Sequence, residues 1–472
     1  MKMGVSPKRK PQMRFHFPAV ALSILLALDG GAHAGVPTYT VDQAVTVAQA
    51  QNPEIAIARK KMEAARGGLV EARAGYLPAL VSTGLADKRQ DQVDTQLRQE
   101  DYSASLRLQE NVYTGGATTN RVAIARLKIE QADYDFQETT NRVTMEMRIA
   151  FYEALLNRAK IQVHEDSVRA LDEEAKHQQE RLRAGLVGTL NVQRAEVALA
   201  NERPELINAQ TQLKNSYLRL SELLGMDFPA ESEQLPFEIA GELRYEPGTP
   251  TLNECLVRAD VERPLIKSRQ REIEIEDRQY VVDRSELHPR FGVFGGYEVY
   301  NERDPDVGHE FNHGFVAGVS GTWSIFDGFA TKGRMQATRA RRDAAVKALE
   351  AARRTVASEV RSAFLDLQQS ERVLASEEKN VQTANDSLAI AKSNFGAGLG
   401  TQLDILQATS DVTRTRTTRL GAIYLHNAAL ARLARACAVT SQTLAFMSRD
   451  KKDGGETRAS NLAEPPRELN ER

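Results

Sequence analysis

Two cysteines and one tryptophan in 472 residues leave little for covalent staples or soft-metal chemistry. Cys255 and Cys437 are too few for a disulfide scaffold or a cysteine metal cluster. One disulfide between them can be drawn, but their spacing does not say whether they meet. Long hydrophobic runs are missing beyond the N-terminus: no stretch of about 18 apolar residues occurs, which excludes an ordinary transmembrane helix. An excess of one charge is missing too. With 62 Lys+Arg against 64 Asp+Glu the formal charge is −2, far from the basic balance of a dedicated nucleic-acid binder, so no nucleic-acid partner is expected. Catalytic signatures are absent: there is no G-x-S-x-G, Walker or H-E-x-x-H pattern, and no enzyme activity or cofactor is expected. Gly396-x-Gly398-x-Gly400 follows a helical pattern rather than a strand, which argues against a nucleotide loop. His309 and His313 lack further placed ligands, so no metal site is expected.

What the chain does contain begins with an address. Lys2, Lys8, Arg9, Lys10 and Arg14 precede the apolar run 19–28, and Ala32-His33-Ala34 supplies a small-residue cleavage site. This pattern predicts a secretory signal peptide over 1–34, removed after Ala34. The apolar run is too short to span a bilayer as an anchor.

The rest is written twice. Thr40-x-x-Gln43 and Thr251-x-x-Glu254 both read as capping boxes opening a short helix. Each is followed by a helix beginning at a proline, Asn52-Pro53 and Arg263-Pro264, and ending before another, Pro78 and Pro289. A glycine turn comes next, Gly115-Gly116 in the first half and Gly328 in the second, then a long segment closing at Ala184-Gly185-Leu186 and Ala397-Gly398-Leu399. Matching landmarks lie about 211–213 positions apart in the same order. The expected organisation is a first repeat over 35–224, a proline-rich linker over 225–250, a second repeat over 251–437, and a tail over 438–472, disordered at least from 449. Helices are expected near 53–75, 117–184, 189–224, 264–286, 331–395 and 401–437.

Residues 117–184 and 334–395 contain neither Gly nor Pro. Each predicts a helix roughly 90–100 Å long, far beyond what a compact globule uses, so both must pack lengthwise on partners. A seven-residue seam supports this: Val360, Leu367, Leu374, Val381, Leu388 and Phe395, with Ala363, Ser370, Glu377, Ala384 and Ala391 between them. The same offset in the first half gives Met147, Ala154, Ile161, Val168, Ala175 and Leu182.

Helices alone would suit a periplasmic coiled-coil adaptor or structural protein, and that is the alternative reading. The alternating stretches speak against it. In 102–112 Tyr102, Ala104, Leu106, Leu108 and Val112 alternate with Ser103, Ser105, Arg107, Gln109 and Asn111. In 311–325 the odd positions carry Phe311, Phe315, Val319, Trp323 and Ile325, and the even ones are nearly all small or polar. Residues 79–88 and 291–300 alternate more weakly. Period two over about ten residues with aromatics near the ends reads as a transmembrane β-strand. Four strands cannot close a barrel, and an unpaired edge in lipid costs several kcal/mol. Eight strands is about the smallest closed barrel, so copies of the chain must assemble, three of them supplying twelve strands.

The ordered set of landmarks resembles the TolC family of outer-membrane exit ducts over roughly residues 36–437. The carrying motifs are the twofold repeat, the turns Asn111-Val112-Tyr113-Thr114-Gly115-Gly116 and Ser324-Ile325-Phe326-Asp327-Gly328, and the stretch from Gly398 to Ala408. The resemblance implies a mainly α homotrimer with a membrane β-barrel, twelve-stranded with four strands per protomer, continued by a long α-helical coiled-coil tunnel. It implies a passive duct in the outer membrane of a Gram-negative-type envelope, contacting outer-membrane lipid, with its tunnel in the periplasm. Such ducts serve drug efflux or type I protein secretion, with a periplasmic adaptor (membrane fusion protein) and an inner-membrane ABC or RND-type transporter as partners.

The family closes its periplasmic end at the helix tips, with polar links and an acidic lining. Carried over residue by residue, the aperture positions are Asp404, Gln407, Gly400, Asn191 and Phe395. Gly185, Gly188 and Gly398 make the tip turns, and Gly115, Gly116 and Gly328 the barrel-to-tunnel turns. Asp404 matches an acidic aperture position, where three crowded carboxylates would repel one another and favour cations; as a residue of this chain alone, it also suits a charge at the start of a helix. Gln407 stands where a second acidic ring can occur. Gly400 and Asn191 stand where the family has an Arg link and its acidic partner, so the charged latch is expected to be missing.

Overall fold

The computed structural model describes residues 37–88, 100–227, 237–245, 251–301 and 311–439. The expected signal peptide, His309 and the expected disordered tail beyond 449 lie outside the described residues.

The first half runs β1 (Thr38–Tyr39), α1 (Val41–Gln51), α2 (Pro53–Ala74), β2 (Ala79–Lys88), β3 (Glu100–Tyr113), α3 (Ala117–Arg183) and α4 (Thr189–Leu224). After β4 (Glu238–Ile239), which pairs in parallel with β1, the second half repeats the order: α5 (Leu252–Glu262), α6 (Pro264–Arg284), β5 (Arg290–Asn301), β6 (Phe311–Thr322), α7 (Ala330–Gly396) and α8 (Gln402–Ala436). A single 3₁₀ turn, Ser285–Leu287, follows α6.

Local chemistry sets these boundaries. At α1 the Thr40 amide donates to Gln43 Oε1 at 2.9 Å and the Gln43 amide donates back to Thr40 Oγ1 at 3.4 Å, a reciprocal cap. Asn52 caps α2 by accepting from the Glu54 amide at 2.9 Å, and Pro53 takes the first helical position, where its missing N–H costs nothing. The second half departs here. Thr251 is the N-cap of α5 but its side chain makes no capping bond, so the box expected at Thr251-x-x-Glu254 does not form. That helix opens instead on its own backbone, with the Cys255 amide donating to the Thr251 carbonyl at 3.2 Å.

Helices α3 and α7 are each 67 residues long, about 100 Å of continuous helix. Each packs along its successor, α3 on α4 and α7 on α8, while α3 also lies against α6 and α8 and so joins the two halves. Val360, Ala363, Leu367, Ser370, Leu374 and Ala384 of the seam are buried, as are Met147, Ala154 and Ala175. Burial along these helices is concentrated in two clusters. Ala44, Val45 and Ala48 of α1 pack with Phe151 and Ala154 of α3 and Leu220 and Leu224 of α4. Cys255 and Ala259 of α5 pack with Val360 and Leu367 of α7 and Leu433 and Ala436 of α8. The same three-helix junction is therefore built twice, once per repeat.

Between the junctions sits a buried charge cluster. Arg263 is fully buried and grips Glu138 of α3 with Nε and Nη2 at 3.0 and 2.9 Å. It also donates to Glu359 of α7 at 3.1 Å and to the carbonyl of Arg435 of α8 at 2.6 Å. Arg435 in turn reaches Glu138 at 2.9 Å. A fork of donors suits this three-way contact; a single ammonium would not.

At the opposite end from the helix tips the four long strands form one antiparallel sheet, ordered β2-β3-β5-β6. Its inner pairing, β3 with β5, joins the two repeats. Gly296 is required there, because a Cβ would lie 2.3 Å from the Leu106 carbonyl oxygen. The stretch 311–325 expected as strand ends early, at Thr322. Its neighbour β5 starts at Arg290, which pairs with Thr322, and Pro289 before it has no N–H to extend the ladder.

The apolar face of this sheet is the exposed one. Phe315 is 92 % exposed and Val319 74 %, and Tyr102, Leu106 and Leu108 stand out on β3. The opposite face is polar and half-buried: Ser103, Ser105 and Arg107 lie there, and Arg107 pairs with Glu298 of β5. A water-soluble sheet has the reverse arrangement. Neither edge strand, β2 nor β6, has a second partner among the described residues. No described helix is long and apolar enough to cross a membrane.

A candidate aperture at the helix tips

Both hairpins turn in the same way. After α3 the backbone enters the left-handed region at Gly185, with φ 72°, and the Leu186 and Gly185 amides donate back to Arg181 and Leu182 at 2.8 and 2.9 Å. After α7 Gly398 has φ 77°, and the Leu399 and Gly398 amides return to Asn394 and Phe395 at 2.8 and 3.1 Å. This is the Schellman closure, which only glycine enters without strain. At the far ends of the same helices Gly115, Gly116 and Gly328 also take positive φ, and Gly115 lies so close to the Ser285 carbonyl that a Cβ would approach within 2.9 Å. Those three glycines are therefore remote from the tips. In the second repeat Phe329, with φ 68°, opens α7 where Gly116 opens α3.

The two return helices start differently. Gly188 is the N-cap of α4 with an ordinary extended backbone and no side-chain cap, and Asn191 takes the third helical position. In α8 the equivalent positions hold Thr401 and Asp404, which form a full capping box. The Thr401 amide and hydroxyl donate to Asp404 Oδ2 at 2.7 and 2.8 Å, and the Asp404 amide donates to Thr401 Oγ1 at 3.3 Å. These bonds, the backbone one first, hold the Asp404 carboxyl below the usual aspartate range. The carboxylate thus serves as a helix-start charge, and its side chain is exposed.

Gly400 is tightly held: its amide donates to the Asn394 carbonyl at 3.1 Å, and a Cβ would lie 3.1 Å from Asn394 Cβ. Gln407 is exposed and donates along its own helix to Asp411 at 3.3 Å. The nearest acidic group beyond Asp404 on this face is therefore Asp411, which also takes Arg414.

Near the tips a hydrogen bond and a cation–ring contact join the hairpins, and both involve residues that sequence reasoning missed. Gln402, buried at the first turn of α8, donates from Nε2 to the Asn191 carbonyl of α4 at 3.0 Å. Arg181 of α3 lies over the ring of Phe395 of α7, 4.9 Å from its centroid. Asn191 and Phe395 are thus each tied to the other hairpin, Asn191 by an uncharged hydrogen bond and Phe395 by the Arg181 guanidinium. Gly185 and Gly188 form the adjoining turn, and Asp404 and Gln407 stand exposed on the side chain face of α8. Arg181 carried no signal beyond a basic residue in a last helical turn, and Gln402 none at all.

The sequence profile of the family described as "Outer membrane efflux protein" matches this chain twice, over residues 44–226 and 255–439. The chain belongs to that family. The two matches coincide with the two structural repeats. Among curated proteins, it is 23% identical over 370 residues to the outer membrane protein TolC of Vibrio cholerae, covering 77% of this chain and 82% of that protein. It is 25% identical over 381 residues to protein CyaE of Bordetella pertussis, covering 80% and 79%. Among solved structures, the outer-membrane channel OprN superposes with a TM-score of 0.70 at 19% identity, covering 85% of this chain and 90% of that one. VceC of Vibrio cholerae does so with 0.70 at 16%, covering 84% and 96%. The fold is that of the TolC-like channels, mainly helical with two repeats, and the family is one of outer-membrane efflux proteins.

Proposed function

We propose that three copies of this chain assemble into a passive exit duct, their sheets closing a twelve-stranded barrel in the outer membrane and their helices a periplasmic tunnel. The single observation that carries this reading is the inverted sheet: apolar side chains face outward, Arg107 and Glu298 face the other way, and both edge strands lack partners among the described residues. Lipid would cover the outer face, and symmetry copies would satisfy the edges, since backbone groups exposed at a bilayer edge are too costly to leave unpaired. The polar inner face then lines a water-filled lumen.

The sequence carries no Walker pattern from which a duct could draw energy of its own. A periplasmic adaptor and an inner-membrane ABC or RND-type pump would drive transport, and the leader over 1–34 would direct export with cleavage after Ala34. A relative, AprF of Pseudomonas aeruginosa, is described as an alkaline protease secretion protein and is 26% identical over 190 residues. It brings protein cargo into view beside small molecules.

The test is assembly. Detergent-extracted protein from the outer-membrane fraction is expected to have three times the mass of the mature chain and to form ion-conducting pores in planar bilayers. A folded, membrane-inserted monomer would end this reading, and a periplasmic protein absent from the outer-membrane fraction would favour a coiled-coil adaptor or structural role.

A further inference from the structure

Cys255 and Cys437, 182 positions apart in sequence, meet in the fold. Cys255 lies on the first helix of the second repeat and Cys437 is the C-cap of its last. Both are buried, at 3 % and 1 % exposure, in the same apolar cluster with Val360 and Leu433. Both are free thiols, neighbours in that cluster and close enough for their side chains to hydrogen-bond. That bond holds the Cys255 thiol low, while it and burial together push Cys437 up.

The twofold repeat supplies an independent view of this spot. Subtracting 211 from 255 gives Ala44, and subtracting 213 from 437 gives Leu224. Both are buried in the corresponding junction of the first repeat, at 1 % and 0 % exposure. The first repeat fastens its short helix to the end of its return helix by apolar packing and by a hydrogen bond from Asn52 Nδ2 to the Leu223 carbonyl at 2.9 Å, with no sulfur at the joint. The second has a sulfur on each side of the same joint.

We propose that Cys255 and Cys437 form an intramolecular disulfide in the exported protein, stapling α5 to the end of α8 and closing the second repeat on itself. Proteins beyond the inner membrane meet an oxidising compartment, where adjacent thiols are converted to disulfides. The co-reactant is a disulfide-bearing thiol oxidant of that compartment. The thiolate of one cysteine attacks the donor disulfide, forming a mixed disulfide and expelling one donor thiolate. The other cysteine, having lost its proton, attacks the protein sulfur of the mixed disulfide and expels the second donor sulfur. Two electrons pass from the cysteines to the donor, and the two protons leave with the two donor thiols. Because both side chains are enclosed in the finished fold, oxidation belongs to the stage before α5 docks, and burial then protects the bond from reductants. The inference rests on export of the chain, not on its acting as a duct.

The experiment uses the full chain, exported with its own leader and extracted from the outer-membrane fraction. It is denatured in a maleimide without reductant, and its intact mass is taken. The expected result is no maleimide on the chain, a mass two hydrogens below the dithiol form, and two maleimides after reduction. Cys255→Ser should expose Cys437 to a single label without reduction. Labels on most unreduced wild-type chains overturn the proposal, as does a disulfide-linked dimer on a non-reducing gel. The wild-type measurement decides the matter even if the variant fails to fold, and trimer formation is scored separately.

Discussion

The Nε2 of Gln402 donates to the backbone carbonyl of Asn191 at 3.0 Å, joining the tips of two hairpins that lie 211 positions apart in sequence. It is an uncharged link at the place where the sequence lacks a charged one. The partner oxygen belongs to the backbone, so the bond survives any substitution of the Asn191 side chain, and its only vulnerable member is Gln402.

Replacing Gln402 by Ala should therefore loosen the tips. A neutral hydrogen bond contributes about 1 kcal/mol, enough for a several-fold shift between closed and open states. The expected outcome is a raised resting conductance of Gln402→Ala trimers in planar bilayers, whereas Asn191→Ala stays close to the parent. Added salt should change either closure only slightly, because the link carries no net charge. Equal conductance in Gln402→Ala and parent channels would place the closing contact elsewhere.

Asp404 carries the pH prediction. Its carboxyl is held below the usual aspartate range by the Thr401 amide and hydroxyl. A carboxylate whose folded pKa is depressed adds stability that is present above the unfolded pKa and lost as pH falls through the folded one. With an unperturbed value of about 3.9, loss of the α8 start is confined to strongly acid solution. Conductance and cation selectivity should thus be flat from neutral to mildly acidic pH, and Asp404→Asn should lower cation selectivity throughout that range without disturbing assembly. A selectivity that titrates at mildly acidic pH and disappears in Asp404→Asn would show instead that repulsion among three carboxylates outweighs the cap.

Much of this architecture was legible because it is written in local signals. Pro53 and Pro264 start helices for lack of an N–H, Gly185 and Gly398 end them by entering positive φ, and the alternation around Leu106 and Phe315 marks a two-faced sheet. The seam from Val360 to Leu374 is a repeated pattern and shows as one. What stayed hidden consists of single polar residues paired across long sequence separations. Phe395 shows in the seam and Gln402 and Asn191 lie beside the tip turns, but no local signal says that Gln402 meets Asn191, Arg181 meets Phe395, or Cys255 meets Cys437. Capping shows the same limit from the other side: Thr40 and Thr251 look alike in sequence, yet only Thr40 makes the box.

Arg263 offers the sharpest test of stability, and its sequence context, a residue before a proline, says nothing of its role. The guanidinium is fully buried and contacts Glu138, Glu359 and the Arg435 carbonyl, three elements of the helical body at once. Removing one member of a buried ionic network leaves its partners uncompensated, at a cost of about 3–5 kcal/mol. Arg263→Met should fall toward the lower end, because Glu138 Oε1 keeps Arg435 at 2.9 Å, while Glu138 Oε2, Glu359 and the carbonyl lose the Arg263 donor. Arg263→Lys retains the charge but not the fork, and should lie between the parent and the methionine variant. Thermal unfolding of the detergent-solubilised assembly, followed by helical circular dichroism, gives the order parent, Lys, Met. If Met melts with the parent, hydrophobic replacement has matched the network, and the cluster serves to fix how the two repeats dock rather than to stabilise them.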